Sequence, residues 1–260
     1  MTAATTAMSF PGLSGQRALV TGATRGIGAE IAAAFAAAGV DLVLNGRDTT
    51  QLETTATSLT KAHGVRAAVL AADLADADEV ERLAAQAVRP FDGLDILVNN
   101  AGISYPELVQ DVTVDRWDIV MAVNLRAPAL LAARVGKTMA AAAGGKIINI
   151  ASAAGLRALS EHYGYCVSKA GLIMATKVLA LELGPFGVQA NVVCPTVILT
   201  EMGQRVWGPE EKAAPMLARI PAGHFGAPAD VANAVLYLAS PASDMVNGVE
   251  LSVDGGYSVT

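Results

Sequence analysis

The feature that most constrains the fold is a regular alternation of short apolar runs with longer segments of helical periodicity. The runs are rich in Val, Ile, Leu and Ala and have the length of buried strands, whereas the segments between them place apolar residues on one helical face. Seven strands are predicted, at residues 17–20, 40–44, 65–71, 94–98, 146–150, 188–193 and 249–253. Helices are predicted at residues 27–38, 51–62, 78–87, 117–135, 163–183 and 229–238.

This order of elements predicts an α/β fold with a single doubly wound, Rossmann-type domain. Strands that alternate with helices form a mostly parallel sheet, and right-handed crossovers place the helices on both of its faces. The predicted domain covers residues 15–260, and residues 1–14 are predicted to be a flexible tail. Residues 200–226 combine Pro, Gly and Trp with helical fragments, which is typical of a lid over a binding site.

Composition and charge exclude several classes of protein. A hydrophobic content of 53% would suit a membrane protein. However, the longest stretch without a charged residue, 183–200, contains Pro185, Gly187 and Pro195, which a spanning helix of about 20 residues does not tolerate well. The uncharged first sixteen residues lack the basic start of a signal peptide. A net charge of -6 without a basic cluster argues against nucleic acid or a membrane surface as partner. We therefore expect a soluble, cytoplasmic protein.

Neither a disulfide nor a metal site is expected. The two cysteines, Cys166 and Cys194, both lie in apolar surroundings, which favours buried thiols in a reducing compartment. The three histidines, His63, His162 and His224, have no neighbour at the spacing of metal ligands.

A glycine-rich turn joins the first strand to the first helix, with the sequence TGATRGIG at residues 21–28. Glycines let the backbone approach a pyrophosphate, and the helix N-terminus offers free N–H groups and a positive dipole. The spacing differs from the usual Gly-x-Gly-x-x-Gly of dinucleotide-binding proteins, and tight packing of strand on helix would also explain it. The candidate cofactor-binding residues in this turn are Gly22, Thr24, Arg25, Gly26, Ile27 and Gly28.

The residues after the second strand bear on the choice of cofactor. An acidic residue usually stands there to bind the ribose 2′-hydroxyl of NAD(H). This chain has Gly46 followed by Arg47, and Arg25 adds a second cation. Two guanidinium groups suit a 2′-phosphate, so NADP(H) is favoured and NAD(H) remains possible. Alternatively, Arg47 is a solvated loop residue or pairs with Asp48.

Polar residues with catalytic potential follow the later strands. Tyr165 and Lys169 are four residues apart on a predicted helix, and a nearby ammonium group lowers the pKa of a tyrosine toward a usable range. Ser152 comes directly after the fifth strand, at the strand edge where such sheets bind ligands. Asn124 lies inside an apolar helix, where it is either part of the site or a structural hydrogen-bonding residue.

Taken together, these residues closely resemble the short-chain dehydrogenase/reductase family over nearly the whole chain from Gly15 onward. The matching positions are the turn at residues 21–28, Asp73, Leu74, residues 99–102, Asn124, Ser152, Tyr165 and Lys169. The resemblance implies that Tyr165 exchanges the proton, that Ser152 orients the reacting group and that Lys169 binds the nicotinamide ribose. It further implies that Asn124 holds a proton-relay water.

The same resemblance assigns further cofactor and substrate contacts. Asp73 and Leu74 would flank the adenine, and the residues behind the cofactor would be Asn100, Ala101 and Gly102. After the sixth strand, Pro195, Val197 and Thr200 are also candidate cofactor contacts. The chain has Pro195-Thr196 where many members have Pro-Gly, and residues 195–223 resemble the L-xylulose (dicarbonyl) reductases within the family. That group implies His162 and Trp207 as substrate-pocket residues.

The resemblance leaves several functions open. Residues 44–47 and 221–223 are similar to gluconate 5-dehydrogenases, so an NAD-dependent polyol or sugar-acid dehydrogenase is an alternative, as is a 3-oxoacyl-carrier-protein reductase. A cofactor-binding sensor is the alternative outside the enzymes, but such a protein would be expected to lack Tyr165 or Lys169. The favoured prediction is NADP(H)-dependent reduction of a small ketose, or oxidation of a polyol, without a metal. The family also implies a homotetramer that pairs the helices near Trp117 and Tyr165.

Overall fold

The computed structural model describes residues 10–142 and 144–260, and its centre is a single parallel sheet. Seven strands form it in the order β3-β2-β1-β4-β5-β6-β7, and every neighbouring pair is parallel. This confirms the predicted doubly wound sheet. The strands are β1 Arg17–Thr21, β2 Asp41–Gly46, β3 Ala67–Ala71, β4 Ile96–Asn99, β5 Gly145–Ile150, β6 Val188–Pro195 and β7 Glu250–Val253.

Helices cover both faces of this sheet. Their bounds are α1 Gly26–Ala37, α2 Thr49–His63, α3 Ala77–Gln86, α4 Val114–Met121, α5 Ala127–Ala141, α6 Tyr163–Leu183, α7 Glu201–Trp207, α8 Glu210–Leu217 and α9 Pro228–Ala239. Two core clusters result, one on each face. The first packs α1, α2 and α9 on the sheet, and the second packs α3 and α5 with residues of α6 on the other face.

The predicted helix at residues 117–135 is longer in the structure. It begins at Val114, because the Thr113 hydroxyl caps it by accepting from the backbone N–H of Arg116, and it continues to Ala141 through one π-helical turn, Ala122–Arg126. Val114 is 74% exposed and is not part of the buried apolar face of the helix, so the apolar pattern did not reveal this start. This helix of 28 residues is apolar enough to cross a membrane, but half of its most apolar window is buried. It is a core helix of this fold.

Strand β2 begins one residue later than predicted, because the backbone of Val40 is hydrogen-bonded to the C-terminal end of α1. Its N–H donates to the carbonyl oxygen of Phe35, and Gly39, at a φ of +80°, donates to that of Ala36. Gly39 therefore ends α1 as the sequence predicted.

Part of the predicted tail belongs to the packed domain. Residues 1–9 lie outside the described residues, but Leu13 is fully buried in the first core cluster. The domain thus extends at least two residues before the predicted start at Gly15.

Candidate active site

A cleft of about 990 Å³ opens at the carboxyl edge of the sheet. It lies where the chain leaves β1 toward one face and β4 toward the other, which is the position at which doubly wound sheets bind ligands. Of the predicted site residues, all but Asn124 line this cleft. The fold therefore brings together side chains that are separated by up to 185 positions, from Gly22 to Trp207.

The turn between β1 and α1 depends on its glycines. Gly22 and Gly26 adopt φ angles of +65° and +57°, a region that favours glycine. A Cβ on Gly28 would lie 2.2 Å from the carbonyl oxygen of Gly22 and 2.4 Å from Nδ2 of Asn100. Gly28 therefore lets the turn pack closely against Asn100, and the first N–H groups of α1 are available to an anion.

Hydrogen bonds tie this turn to the end of β4. Asn100 donates from Nδ2 to the carbonyl oxygen of Thr21 at 2.9 Å and to that of Gly22 at 3.3 Å. The Thr21 hydroxyl accepts from the backbone N–H groups of Asn100 and Ala101. Asn100 thus acts as a brace for the glycine turn, and only the family resemblance had marked it as a site residue.

Arg25 and Arg47 are both exposed and both line the same end of the cleft. Within residues 10–142 and 144–260, neither has a carboxylate within ion-pair distance. Asp48, the alternative partner of Arg47, instead caps α2 by accepting from the backbone N–H of Gln51 at 3.0 Å. Both guanidinium groups are thus available to an anionic ligand.

Asp73 and Leu74 follow β3, beside the end of β2, because the N–H of Ala72 donates to the carbonyl oxygen of Gly46. The Asp73 carboxylate accepts from the N–H of Ala75 at 3.0 Å, and its own N–H donates to the Glu79 carboxylate. Leu74 is buried while still lining the cleft. Together they form a fixed wall near Arg47.

Lys169 is held beneath the centre of the cleft. Its side chain is only 3% exposed, and Nζ donates to the carbonyl oxygen of Ile150 at 2.8 Å. Burial lowers the pKa of Lys169 from its ordinary value of 10.5 to about 8. A lysine with this pKa is partly neutral near neutral pH, and the bond to Ile150 fixes its ammonium group in place.

Tyr165 lies one helical turn from Lys169, and Lys169 Nζ is 5.7 Å from the centre of its ring. Burial raises the pKa of the Tyr165 phenol, and interaction with the Ser152 hydroxyl acts in the opposite direction. The expectation that Lys169 lowers the pKa of this tyrosine is therefore not met. Desolvation of the phenolate dominates, and the phenol is protonated at neutral pH.

Ser152 follows β5 and points into the same end of the cleft. Its hydroxyl donates to the carbonyl oxygen of Pro195 at 3.4 Å and accepts from the N–H of Ala154 at 3.1 Å. Ser152 and Tyr165 thus present two hydroxyl groups to one small space. Such a pair can hydrogen-bond a carbonyl or alcohol oxygen.

Asn124 lies behind this space rather than in it. It is fully buried in the π-helical turn, where its amide oxygen accepts from the N–H of Ile103 at 2.9 Å and its Nδ2 donates to the Ile103 carbonyl oxygen at 2.8 Å. Nδ2 also donates to the Ser168 hydroxyl at 3.2 Å. In this structure the Asn124 side chain holds the loop after β4 against α6, as the structural alternative predicted.

The predicted substrate residues flank Ser152 and Tyr165. The rings of His162 and Tyr165 are 6.1 Å apart in an edge-to-face arrangement, and His162 Nδ1 contacts the carbonyl oxygen of Ser160 at 2.7 Å. Trp207, at the end of α7, packs on Phe225 at 6.0 Å between ring centres. Both residues line the cleft.

The segment after β6 joins the two ends of the cleft. Pro195 and Val197 line it, and the Thr200 hydroxyl caps α7 by accepting from the N–H of Gly203 at 3.0 Å. A Cβ on Gly26 would lie 3.2 Å from the Thr200 methyl group, so Thr200 closes over the glycine turn.

Sequence reasoning missed two buried polar residues of the cleft, Asn45 and Tyr257. Within the part of the chain that the structure describes, the amide oxygen of Asn45 and the hydroxyl of Tyr257 have no hydrogen-bond partner. Asn45 lies within residues 44–47, whose resemblance to gluconate 5-dehydrogenases assigns it no role. Tyr257 lies four residues after the predicted seventh strand and belongs to no recognisable motif.

The described residues contain no group of three or more His, Cys, Asp and Glu side chains that could hold a metal. Both cysteines are free thiols. Burial raises the pKa of Cys194 to about 12.

Known proteins match the chain along most of its length. A family model described as "Enoyl-(Acyl carrier protein) reductase" matches residues 22–258. The chain is 41% identical to a D-threitol dehydrogenase of Mycolicibacterium smegmatis over 95% of its own length and 94% of that protein's. It is 41% identical to an L-xylulose reductase of Mesocricetus auratus, over 96% and 99% of the two chains.

A solved structure shows the same fold. It is a putative NAD(P)-dependent gluconate 5-dehydrogenase from Beutenbergia cavernae, described with bound NADP at low occupancy. It superposes with a TM-score of 0.90 at 34% identity, covering 95% of this chain and 98% of that one.

Proposed function

The chain belongs to the short-chain dehydrogenase/reductase family, and from this we propose that it transfers a hydride reversibly between NADP(H) and a small polyol or ketose. The observation that carries the proposal is the set of Ser152, Tyr165 and Lys169 at one end of a dinucleotide-sized cleft. Relatives named for threitol and L-xylulose, each 41% identical, support the class of substrate.

Tyr165 is assigned the proton transfer. Its raised pKa keeps the phenol protonated at neutral pH, which is the form that donates a proton to a carbonyl oxygen during reduction. Ser152 holds the same oxygen by a hydrogen bond and orients it toward the phenol. In the direction of oxidation the tyrosine must first lose its proton, so a higher pH favours that direction.

The residues of the cleft fit a nicotinamide dinucleotide. The glycine turn and the N-terminus of α1 suit the pyrophosphate, because the helix begins at Gly26, which lines the cleft, and offers free N–H groups and a positive dipole there. When bound, the nicotinamide supplies or accepts the hydride. Lys169 is placed to bind the nicotinamide ribose, and Asn124 positions the loop at Ile103 beside it.

NADP(H) is favoured over NAD(H) by charge. Arg25 and Arg47 are exposed at the cleft, and the carboxylate of Asp48 is engaged as a helix cap. No acidic side chain follows β2 at Gly46, where one would bind a free 2′-hydroxyl. Two available guanidinium groups can instead bind a 2′-phosphate in bidentate fashion.

A neutral substrate is favoured over a sugar acid by the positions of the other cations. Among the described residues that line the cleft, the lysine and arginine side chains besides Arg25 and Arg47 are Lys169 and Arg205. Lys169 is bound to the Ile150 carbonyl oxygen, and Arg205 forms an ion pair with Glu201. A substrate carboxylate would therefore compete with these partners, or with the cofactor for Arg25 and Arg47, which disfavours gluconate.

The protein is further proposed to act as a cytoplasmic homotetramer. Exposed apolar side chains lie along α6 at Met174, Val178 and Leu181, spaced so that they share one face. Such a face is suited to pairing with the same helix of a second subunit. Two free thiols fit a reducing compartment.

A substrate panel tests the proposed function. We expect the highest kcat/KM with a four- or five-carbon ketose or polyol, and a higher kcat/KM with NADPH than with NADH. The panel includes gluconate, its 5-keto product, a small diketone and a 3-oxoacyl thioester. A preference for either of the sugar acids or for the thioester would overturn the substrate class, and a preference for NADH would overturn the cofactor assignment.

A further inference from the structure

Tyr257 is a buried tyrosine whose hydroxyl no residue of the described chain satisfies. It lies in a short helical turn, Tyr257–Val259, just after β7, and is 2% exposed. Its hydroxyl has no hydrogen-bond partner within residues 10–142 and 144–260. A buried polar group without a partner costs about as much free energy as a lost hydrogen bond, so a partner from outside the chain, a bound ligand or a water, is expected.

The ring of Tyr257 is held firmly in place. The guanidinium groups of Arg219 and Arg157 lie 4.9 Å and 5.3 Å from its centre, and Arg157 also donates to the Tyr257 carbonyl oxygen at 2.9 Å. The turn before it is fixed by Asp254, whose carboxylate accepts from the backbone N–H groups of Gly256 and Ser258. The hydroxyl position is therefore set by the fold rather than by a flexible side chain.

This position is at the substrate end of the cleft. Tyr257 lines the cleft and packs in one apolar cluster with Ala153, the residue after Ser152. Met216 belongs to the same cluster, and Trp207 packs against it. The phenol hydroxyl is itself buried behind this mostly apolar wall, beside the reacting centre.

The wall that covers the hydroxyl can move. Trp207 and Met216 come from α7 and α8, whose residues are mostly exposed and which pack chiefly against each other. Helices with so few contacts to the sheet open at low cost in free energy. A substrate that enters beneath them can therefore reach the Tyr257 hydroxyl.

We propose that Tyr257 is a specificity residue whose hydroxyl binds a substrate hydroxyl remote from the reacting carbonyl. The inference rests on the proposed function, because it deepens the choice of a polyhydroxylated substrate. A hydroxyl is the matching group, because a phenol hydroxyl can both donate a hydrogen bond to it and accept one from it. The matching substrate is a ketose that carries a hydroxyl group at least two carbons away from its carbonyl carbon.

Tyr257→Phe tests this proposal, because it removes the hydroxyl and keeps the ring. The probes are erythrulose and 1-hydroxybutan-2-one, which is the same four-carbon ketone without the hydroxyls at C3 and C4. We expect kcat/KM for erythrulose to fall about 10-fold, mainly through KM, as for the loss of one neutral hydrogen bond. For 1-hydroxybutan-2-one we expect no change.

Tyr237→Phe is the matched control, because Tyr237 lies on α9 against the first core cluster and does not line the cleft. It should leave the ratio of the two kcat/KM values unchanged. The thermal midpoint of unliganded Tyr257→Phe should equal or exceed that of the parent, since an unpaired hydroxyl is removed.

The outcomes distinguish the role of Tyr257 from the proposed function of the protein. No change for erythrulose, or an equal loss for both ketones, would overturn the role of Tyr257 while leaving the proposed function intact. Failure of the parent protein to reduce either ketone would overturn the proposed function, and this inference with it.

Discussion

Tyr165 carries the proposed proton transfer, and its surroundings act on its pKa in opposite directions. Burial raises the pKa, and interaction with Ser152 offsets part of that rise. Lys169, with Nζ 5.7 Å from the ring centre, does not offset the rise. The sequence predicted that these residues meet, because their spacing and strand-end positions are local signals. It did not predict the balance of effects on the pKa, since desolvation depends on what packs around the phenol.

Tyr165→Phe should reduce turnover by about 10³-fold, because it removes the general acid while keeping the ring in place. Cofactor affinity should change little, since the glycine turn is untouched. Steady-state rates and a fluorescence titration with NADPH measure the two quantities. Turnover close to that of the parent protein would rule out Tyr165 as the proton donor.

Lys169 should make the free energy of unfolding depend on pH. Burial lowers its pKa from 10.5 to about 8, so between these values the unfolded chain keeps a proton that the folded chain has released. Stability therefore rises with pH across this window, by roughly 3 kcal/mol over the full range. Denaturant unfolding of the parent and of Lys169→Met, from pH 7.5 to 9, measures this.

The difference between the two proteins isolates Lys169. Burial raises the pKa of Cys194 to about 12, which lowers stability above pH 9, and the charge of Lys169 acts against this rise, so the two proteins are compared below pH 9. The stability of the parent relative to Lys169→Met should increase with pH. A difference that stays constant would contradict the lowered lysine pKa.

The turn between β1 and α1 depends on glycine at position 28, where a side chain would not fit. Gly28→Ala should raise the intrinsic helix propensity of α1, yet its Cβ would lie 2.2 Å from the Gly22 carbonyl oxygen and 2.4 Å from Asn100 Nδ2. Steric conflict should win, with a loss of about 2 kcal/mol in stability and weaker binding of NADPH. Thermal unfolding and cofactor titration measure both effects.

Gly164→Ala, in α6, is the matched control for this substitution. Its Cβ would be 3.6 Å from the nearest atom, on Trp117, which is an ordinary contact. It should be neutral or stabilise the protein by up to about 1 kcal/mol. Equal effects of the two substitutions would show that backbone entropy, and not the close approach at Gly28, controls the turn.

The π-helical turn could not be predicted from the hydrophobic periodicity of the sequence. One helix was predicted through residues 117–135, and one continuous helical segment is present, but Ala122–Arg126 is wound differently. The extra residue aims Asn124 at Ile103, where it satisfies both backbone groups of that residue. Apolar residues around Asn124 give the same sequence pattern for either winding.

For the whole molecule, the exposed face of α6 predicts assembly. Leu181 is 77% exposed, and Met174 and Val178 lie on the same face. Leu181→Glu should reduce the mass in solution from that of a tetramer to that of a smaller species, because it places a charge in the proposed interface. Light scattering coupled to size-exclusion chromatography measures this.

Met245→Glu serves as the control, since Met245 is 98% exposed and lies outside α6. It should leave the mass unchanged. A parent protein that is monomeric at micromolar concentration would overturn the proposed assembly, whatever the behaviour of the variants.

The sequence by itself determined the order of the elements along the chain and marked the candidate site residues. Strand and helix periodicity, helix-capping glycines and motif spacing are local properties, so all seven strands and the set of Ser152, Tyr165 and Lys169 were predicted. Only the tertiary structure decided the order of strands in the sheet, the partners of Asn124 and the burial of Tyr257. These depend on contacts between residues far apart in the chain, whose free energies arise from packing and desolvation and leave no local pattern to read.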